Sequence, residues 1–167
     1  MPNGPVGTFG DVRARLLPVL AALALAAPAA AAAPVVPLAA QSQIRARAGV
    51  AAYVPTRLPF RYRFRAFAFN HSTGILAIRF ADVRYLETRH PRRLYLSVQR
   101  YTGTVAQCGA GRQKTLQLDG NKVYSDSGVT WRCQRTPRGP LVKITVSGVS
   151  LPDVALGRVA ASAKRLY

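Results

Sequence analysis

The alternation of hydrophobic and polar residues predicts a β-strand near the middle of the chain. From Phe60 to Ala68 every second residue is aromatic or alanine, and Arg61, Arg63 and Arg65 occupy alternate positions between them. A period of two is typical of a strand with one face on a core. A turn-forming stretch at 70–74 follows, and the apolar segment 75–80 then predicts a second strand, paired with the first as a hairpin.

The pattern also predicts how this hairpin pairs. If Phe69 pairs with Ile75, one face of the hairpin is fully apolar. Arg65 is then directly across from Arg79, an arrangement of like charges that costs a few tenths of a kcal/mol unless an anion lies between them. This register therefore predicts a basic, anion-binding face on the other side of the hairpin. Its four arginines are Arg61, Arg63, Arg65 and Arg79.

Further strands are expected in the second half of the chain. Leu94, Leu96 and Val98 alternate with polar residues. Asp119-Gly120 is typical of a two-residue type I′ turn, which would pair Leu116 with Val123. Two more strands are expected at 129–133, where Val129, Trp131 and Cys133 share a face, and at 141–146, where Val142, Ile144 and Val146 are buried.

The period changes at the end of the chain. Ser150 is a candidate N-cap of a helix whose apolar stripe includes Leu151, Ala155, Val159 and Leu166. Lys164 and Arg165 would then lie in the last turn, where cations suit the helix dipole. The predicted fold class is therefore α+β: a mostly antiparallel sheet of about six or seven strands with a C-terminal helix packed on its apolar face.

The first 33 residues predict a secretory signal peptide. Arg13 and Arg15 precede an alanine- and leucine-rich stretch, and A-x-A positions that suit a peptidase follow. An uncleaved membrane anchor is the alternative, but four prolines interrupt the apolar run. We expect cleavage near residue 33, a linker and short lead-in segment at 34–57, and one domain at 58–167. The protein is then periplasmic or secreted from a bacterium, with no membrane span after cleavage.

The two cysteines are expected to pair. In an oxidising compartment a Cys108–Cys133 disulfide is the default, and it would lie in the interior beside Trp131. A catalytic thiolate would need a nearby histidine or a helix N-terminus, whereas Cys108 is in a glycine-rich turn. Zinc binding is disfavoured because neither His71 nor His90 has ligand spacing to a cysteine.

Charge narrows the possible functions. The chain has 24 Lys and Arg against 6 Asp and Glu, a net charge of +18, and nearly all of it remains after cleavage. Six acids give little material for a metal site, and no motif for a cofactor is present. We expect a non-enzymatic envelope module whose basic face contacts lipid head groups, acidic polymer or an acidic protein. The alternative is an arginine-rich surface that is only solvated.

Two other functions remain open. A small basic hydrolase of ribonuclease type would draw its acid and base from His71, Glu87 and His90. An extracellular nucleic-acid-binding protein would use Tyr95 and Tyr101, because tyrosines between arginines stack bases and neutralise phosphates.

The second half of the chain resembles a known group of domains. Leu118–Tyr124, Gly128–Trp131 and Val159–Ala163, together with Val54–Pro59, are similar to segments of the extracytoplasmic domains of some bacterial anti-sigma factors and of related lipoprotein-carrier-like sheets. The resemblance implies the same hairpin, strand and terminal helix, and it supports a fold more than a function. The two cysteines and the arginine face depart from the pattern.

Overall fold

The computed structural model describes residues 33–85, 92–137 and 139–167, and the fold is given for these residues. Residues 1–32 of the predicted signal peptide lie outside the described residues, as do Glu87 and His90. Within the described ranges no helix is long and apolar enough to cross a membrane.

The protein has an α+β fold, as the sequence predicts. The helices are α1 (Leu38–Ala48), α2 (Val105–Cys108) and α3 (Asp153–Ser162). The strands are β1 (Tyr53–Pro55), β2 (Tyr62–Asn70), β3 (Ile75–Asp82), β4 (Arg93–Tyr101), β5 (Lys114–Leu118), β6 (Asn121–Asp126), β7 (Val129–Arg135), β8 (Leu141–Gly148) and β9 (Ala163–Arg165). Seven strands form an antiparallel sheet in the order β2-β3-β4-β8-β7-β6-β5, and β1 pairs separately with β9.

One face of the large sheet, the inner face, carries the main hydrophobic core. The predicted alternation is confirmed on the neighbouring strands β3, β4 and β8, and α1 and α3 cover this face through Ile44 and Leu156. Fully burying each such side chain contributes roughly 1.5–3 kcal/mol. The fully buried residues of β3, β4 and β8 are Leu76, Ile78, Phe80, Leu94, Leu96, Val98, Val142, Ile144 and Val146.

Helix α1 lies in the segment that its sequence pattern marks as linker. Of its eleven residues only Ile44 and Ala48 are buried. Two buried positions among alanine, glutamine and arginine give no clear helical period, so the pattern is silent here. Packing of Ile44 into the main core supplies the stabilisation that the local sequence does not show.

The C-terminal helix is shorter than predicted. It begins after Pro152 without a side-chain cap, and Ser150, the predicted N-cap, instead has a positive φ of 61°. The helix ends at Ser162, so the placement of Lys164 and Arg165 in its last turn is wrong. Both residues belong to β9, because β1 offers backbone hydrogen bonds to this segment from more than a hundred residues away.

The register of the β2–β3 hairpin differs from the prediction by one residue. Phe69 pairs with Leu76 rather than Ile75, whereas Phe64 pairs with Phe80. The two registers are joined by a β-bulge between Phe64 and Ala66, which inserts one extra residue into β2.

The bulge changes which side chains of β2 face the core. Beyond it Phe67 and Phe69 pack against the core, instead of the predicted Ala66 and Ala68. Two phenylalanines bury far more apolar area than two alanines, so the fold gains by inserting the extra residue. Other predicted strand features are confirmed, including the pairing of Leu116 with Val123 across the Asp119-Gly120 turn.

The Cys108–Cys133 disulfide is present, with 6.2 Å between its Cα atoms. It lies beside Trp131, as predicted, and the indole Nε1 donates a hydrogen bond to the main-chain oxygen of Cys108 at 2.6 Å. The site is nevertheless on the outer face of the sheet, opposite the main core. We call this group the disulfide cluster: Cys108, Tyr124 and Trp131, with Tyr101, Val129 and Cys133 packed against them.

Candidate functional site

Part of the outer face is exposed, and we call it the open face: Arg63 and Ala68 of β2, Ala77 and Arg79 of β3, and Arg93 and Tyr95 of β4. These positions alternate with the buried residues of the inner face, so the pattern of the strands alone turns them outward. The alanine side chains are short, so the longer arginine side chains project beyond them into solvent. A shallow hollow of about 310 Å³ lies between the alanines, Arg79 and Tyr95.

The open face brings together two of the four predicted anion-binding arginines. Arg79 pairs with Ala66 on one side and with Tyr95 on the other. Arg63 pairs with Ala81, and Ala81 pairs in turn with Arg93 of β4. Three arginines therefore project from neighbouring rungs of the same three strands.

Arg65 and Arg61 are placed elsewhere. Arg65 is the bulged residue, so its predicted position directly across from Arg79 is wrong; its side chain borders a hollow beside α1. Arg61 precedes β2 with a positive φ of 77°, and its guanidinium lies over the ring of Phe60, 5.1 Å from the centroid.

Arg93 is a member of the open face that the predicted arginine set omits. Its guanidinium donates a long hydrogen bond of 3.5 Å to the Tyr95 hydroxyl. The signal was available in the alternation of β4, in which Leu94 and Leu96 are buried. The four predicted arginines all belong to the β2–β3 hairpin or its start. The local pattern does not show that β4 pairs with β3 and so brings Arg93 beside them.

A buried carboxylate lies at the end of β3, on the side of the strand that carries the inner-face residue Phe80. Asp82 is 2 % exposed and accepts hydrogen bonds from the main-chain N–H and guanidinium of Arg84, with an ion-pair distance of 2.9 Å. The Arg84 hydrogen bond holds the pKa of Asp82 below its ordinary value of 3.8. Burial, with the charge of Asp82 nearby, raises the pKa of Tyr62.

A second basic region lies on the other side of the molecule, where β7 meets β9. We call it the basic cleft: a cavity of about 540 Å³ bordered by the cations Arg132, Arg135, Lys164 and Arg165. Tyr53, Asn121 and Gln134 also line it, and no aspartate or glutamate of the described ranges does. The sequence analysis does not single out these residues.

Arg132 is the buried member of the basic cleft. It points to the inner face from β7 and is 5 % exposed. Its guanidinium donates hydrogen bonds to Oδ1 of Asn121, at 2.6 Å, and to the main-chain oxygen of Ala163. Burial lowers the pKa of Arg132, and no carboxylate within the described residues forms an ion pair with it.

The other candidate residues that the structure describes, His71 and Tyr101, lie apart from the open face and the basic cleft. His71 lies in the turn between β2 and β3 and packs its ring edge-on against Phe69, with 4.9 Å between centroids. Tyr101, one of the two predicted base-stacking tyrosines, packs against the disulfide cluster instead. Across the described ranges no three His, Cys, Asp or Glu side chains are grouped so that they could hold a metal ion.

The geometry defines a class: a disulfide-bonded α+β protein with one covered and one partly open sheet face and two basic regions. No protein-family model matches the sequence, and no curated protein matches it. Among solved structures, the chain is similar to one described as the crystal structure of MucB in complex with MucA(peri), at 18 % identity and a TM-score of 0.43. The similarity covers 69 % of this chain and 37 % of that one.

Proposed function

We propose that the protein is exported to the bacterial envelope and acts there, without catalysis, as a module that binds an anionic partner through the open face. The observation that carries the proposal is the group formed by Arg63, Arg79 and Arg93. The three arginines lie on adjacent strands of an exposed surface, and none forms an ion pair with a described carboxylate. An anion is the partner that such a surface attracts.

The charge balance of the chain strengthens this argument. Only three ion pairs occur among the described residues, Arg57–Asp119, Arg84–Asp82 and Lys114–Asp153, and none of them is on the open face. With 24 basic residues against 6 acidic ones, internal neutralisation is not available to most arginines. Their charge therefore acts on molecules outside the chain.

Two features support export. The first is the signal-peptide pattern of residues 1–33. The second is the Cys108–Cys133 disulfide, because such bonds persist in oxidising compartments and are rare in the cytosol. Mass spectrometry of the exported protein tests both: cleavage near residue 33 and the loss of two hydrogen atoms are expected, and a full-length reduced chain would contradict export.

Binding to anionic surfaces tests the role of the open face. The purified exported chain is mixed with vesicles of phosphatidylcholine alone, vesicles that also contain phosphatidylglycerol, and an immobilised acidic polymer. We expect retention only on the anionic materials, and loss of most retention in an Arg63→Gln/Arg79→Gln variant.

The matched control is Arg112→Gln/Arg158→Gln, which removes the same charge away from the open face. Equal retention of the two variants would show that net charge alone acts, and it would overturn the proposal. So would the absence of retention on every anionic material.

Single-stranded nucleic acid is a second candidate partner, because Tyr95 is 40 % exposed and stands between Arg79 and Arg93. Base stacking on an aromatic ring contributes about 1–3 kcal/mol per base. A Tyr95→Ala variant should then lose oligonucleotide affinity but keep its retention on phosphatidylglycerol vesicles. Unchanged oligonucleotide affinity would remove this candidate.

A further inference from the structure

The basic cleft has the features of a built anion site, and it does not belong to the open face. Arg132 and Gln134 approach it from β7, and Lys164 and Arg165 approach it from β9. These two strands are not paired with each other, so the fold brings the cations together from opposite sides of a gap. Four cations, and no aspartate or glutamate of the described residues, then border one cavity.

The strongest evidence is a set of buried polar atoms without partners. The N–H donors at Nε of Arg132 and Nε of Arg165 are each buried and form no hydrogen bond. Buried polar groups are hydrogen-bonded in the great majority of cases, and buried charges are paired. Two unpaired cationic donors at one cavity indicate that an acceptor is supplied from outside the chain.

Arg132 carries most of this argument. It is nearly completely removed from water, and its two hydrogen-bond acceptors, from Asn121 and Ala163, are both neutral. An uncompensated buried guanidinium is costly, whereas one that faces an oxyanion gains charge-assisted hydrogen bonds. No carboxylate among the described residues takes this role: the three ion pairs formed there are Arg57–Asp119, Arg84–Asp82 and Lys114–Asp153, and none includes Arg132.

We infer that the basic cleft binds a phosphate group, either as the free ion or as the terminal phosphate of a larger molecule. Four cations suit a dianion better than a carboxylate with a single charge. The planar guanidinium groups of Arg132, Arg135 and Arg165 match the spacing of phosphate oxygens. A volume of about 540 Å³ also leaves room for a group attached to the phosphate.

The inference goes beyond the proposed function, because the cleft and the open face lie on different sides of the sheet. Calorimetric titration of the exported chain with inorganic phosphate in chloride buffer tests it. We expect saturable binding, and binding of acetate at least tenfold weaker at the same ionic strength. Absence of saturable phosphate binding to the folded chain, or equal binding of acetate, would overturn the inference.

Two variants of equal charge locate the binding. Arg135→Gln/Arg165→Gln alters exposed and half-buried members of the cleft, so the fold should be retained, and we expect at least a tenfold loss of phosphate affinity. Arg63→Gln/Arg79→Gln on the open face should bind phosphate as the unmodified chain does. Equal loss in both variants, or in neither, would contradict a site at the cleft.

A third variant tests whether Arg132 contacts phosphate directly or only stabilises the packing of β7 against β9. Arg132→Lys keeps the charge and removes the planar fork, and circular dichroism establishes that it is folded. Weaker phosphate binding by the folded variant supports direct contact. If the folded variant binds phosphate with unchanged affinity, Arg132 only braces β7 against β9, and its role in the inference is wrong.

A comparison of two phosphate compounds identifies the source of the phosphate. Glycerol 3-phosphate is titrated beside inorganic phosphate: binding of both supports a cleft that accepts the phosphate end of a larger molecule, and binding of inorganic phosphate alone supports the free ion. The cleft variant should remain bound to phosphatidylglycerol vesicles. Failure of phosphate binding is therefore distinguishable from failure of the open-face proposal.

Discussion

The two ends of the outer sheet face differ in their exposure to solvent. At the β7 end, the disulfide cluster covers the sheet, and Trp131 is only 7 % exposed. At the β2–β4 end no comparable cluster exists among the described residues, and Tyr95 is 40 % exposed. The first end is covered by aromatic side chains and the disulfide. The second end exposes alanine and arginine side chains to solvent. The comparison separates stability, to which the closed end contributes in addition to the main core, from recognition, which we assign to the open end.

The largest expected effect comes from replacing one aromatic residue at each end with alanine. Trp131→Ala should lower the free energy of unfolding by roughly 3–5 kcal/mol, because it removes a buried ring and its hydrogen bond to Cys108. Tyr95→Ala should change it by less than about 1 kcal/mol. Denaturant unfolding measures both. Similar losses in the two variants would mean that the ends do not differ as described.

The disulfide gives the next largest effect. Cys108→Ser/Cys133→Ser opens a loop that spans 25 positions, which the chain-entropy account values at roughly 3.5 kcal/mol. We expect Trp131 fluorescence to shift to longer wavelength in the folded variant as the α2 loop loosens. Retention on anionic vesicles should not change, and its loss would connect the closed end to recognition against our account.

Acid stability is expected to depend on Asp82, which is buried at the end of β3. Asp82 has a lower pKa folded than unfolded, so its stabilisation is present above its ordinary value of 3.8 and is lost as pH falls through the lower folded value. Asp82→Asn should therefore be less stable than the unmodified chain near neutral pH, and this difference should shrink in acid. Thermal unfolding across pH checks it, with Asp119→Asn as the exposed control. A difference that does not depend on pH would contradict this assignment.

The smallest expected effect concerns the open-face cations themselves. Arg63→Gln/Arg79→Gln should change the free energy of unfolding by no more than about 0.5 kcal/mol, since both side chains are exposed and form no ion pair with a described carboxylate. Removal of like charges makes a slight gain the expected sign. A loss of several kcal/mol would show that these arginines serve the fold rather than a partner.

Most of the sheet follows from the period of its sequence. The strands with one apolar face, such as β4 and β8, were predicted with the correct inward residues. The Asp119-Gly120 turn fixed its hairpin register because that turn type allows only one pairing. The local sequence pattern is sufficient to predict a strand whose one face is exposed to solvent and whose other face is buried.

The errors occur where that condition fails. At the bulge, the choice between Phe67 and Ala66 depends on the core volume opposite them, which no local pattern states. Strand β7 is dry on both faces: Trp131 is covered by the disulfide cluster, and Arg132 is covered from the inner side. An alternating strand predicts a solvated arginine, so the basic cleft could not be predicted from sequence.

Dependence of vesicle binding on salt tests the central claim most directly. The apparent affinity of the exported chain for phosphatidylglycerol vesicles is measured from about 50 mM to 500 mM salt, a range over which screening of exposed charges becomes strong. Our account predicts a steep fall for the unmodified chain, and a distinctly shallower fall for Arg63→Gln/Arg79→Gln than for Arg112→Gln/Arg158→Gln. Binding that is equally strong at both ends of the range would contradict it.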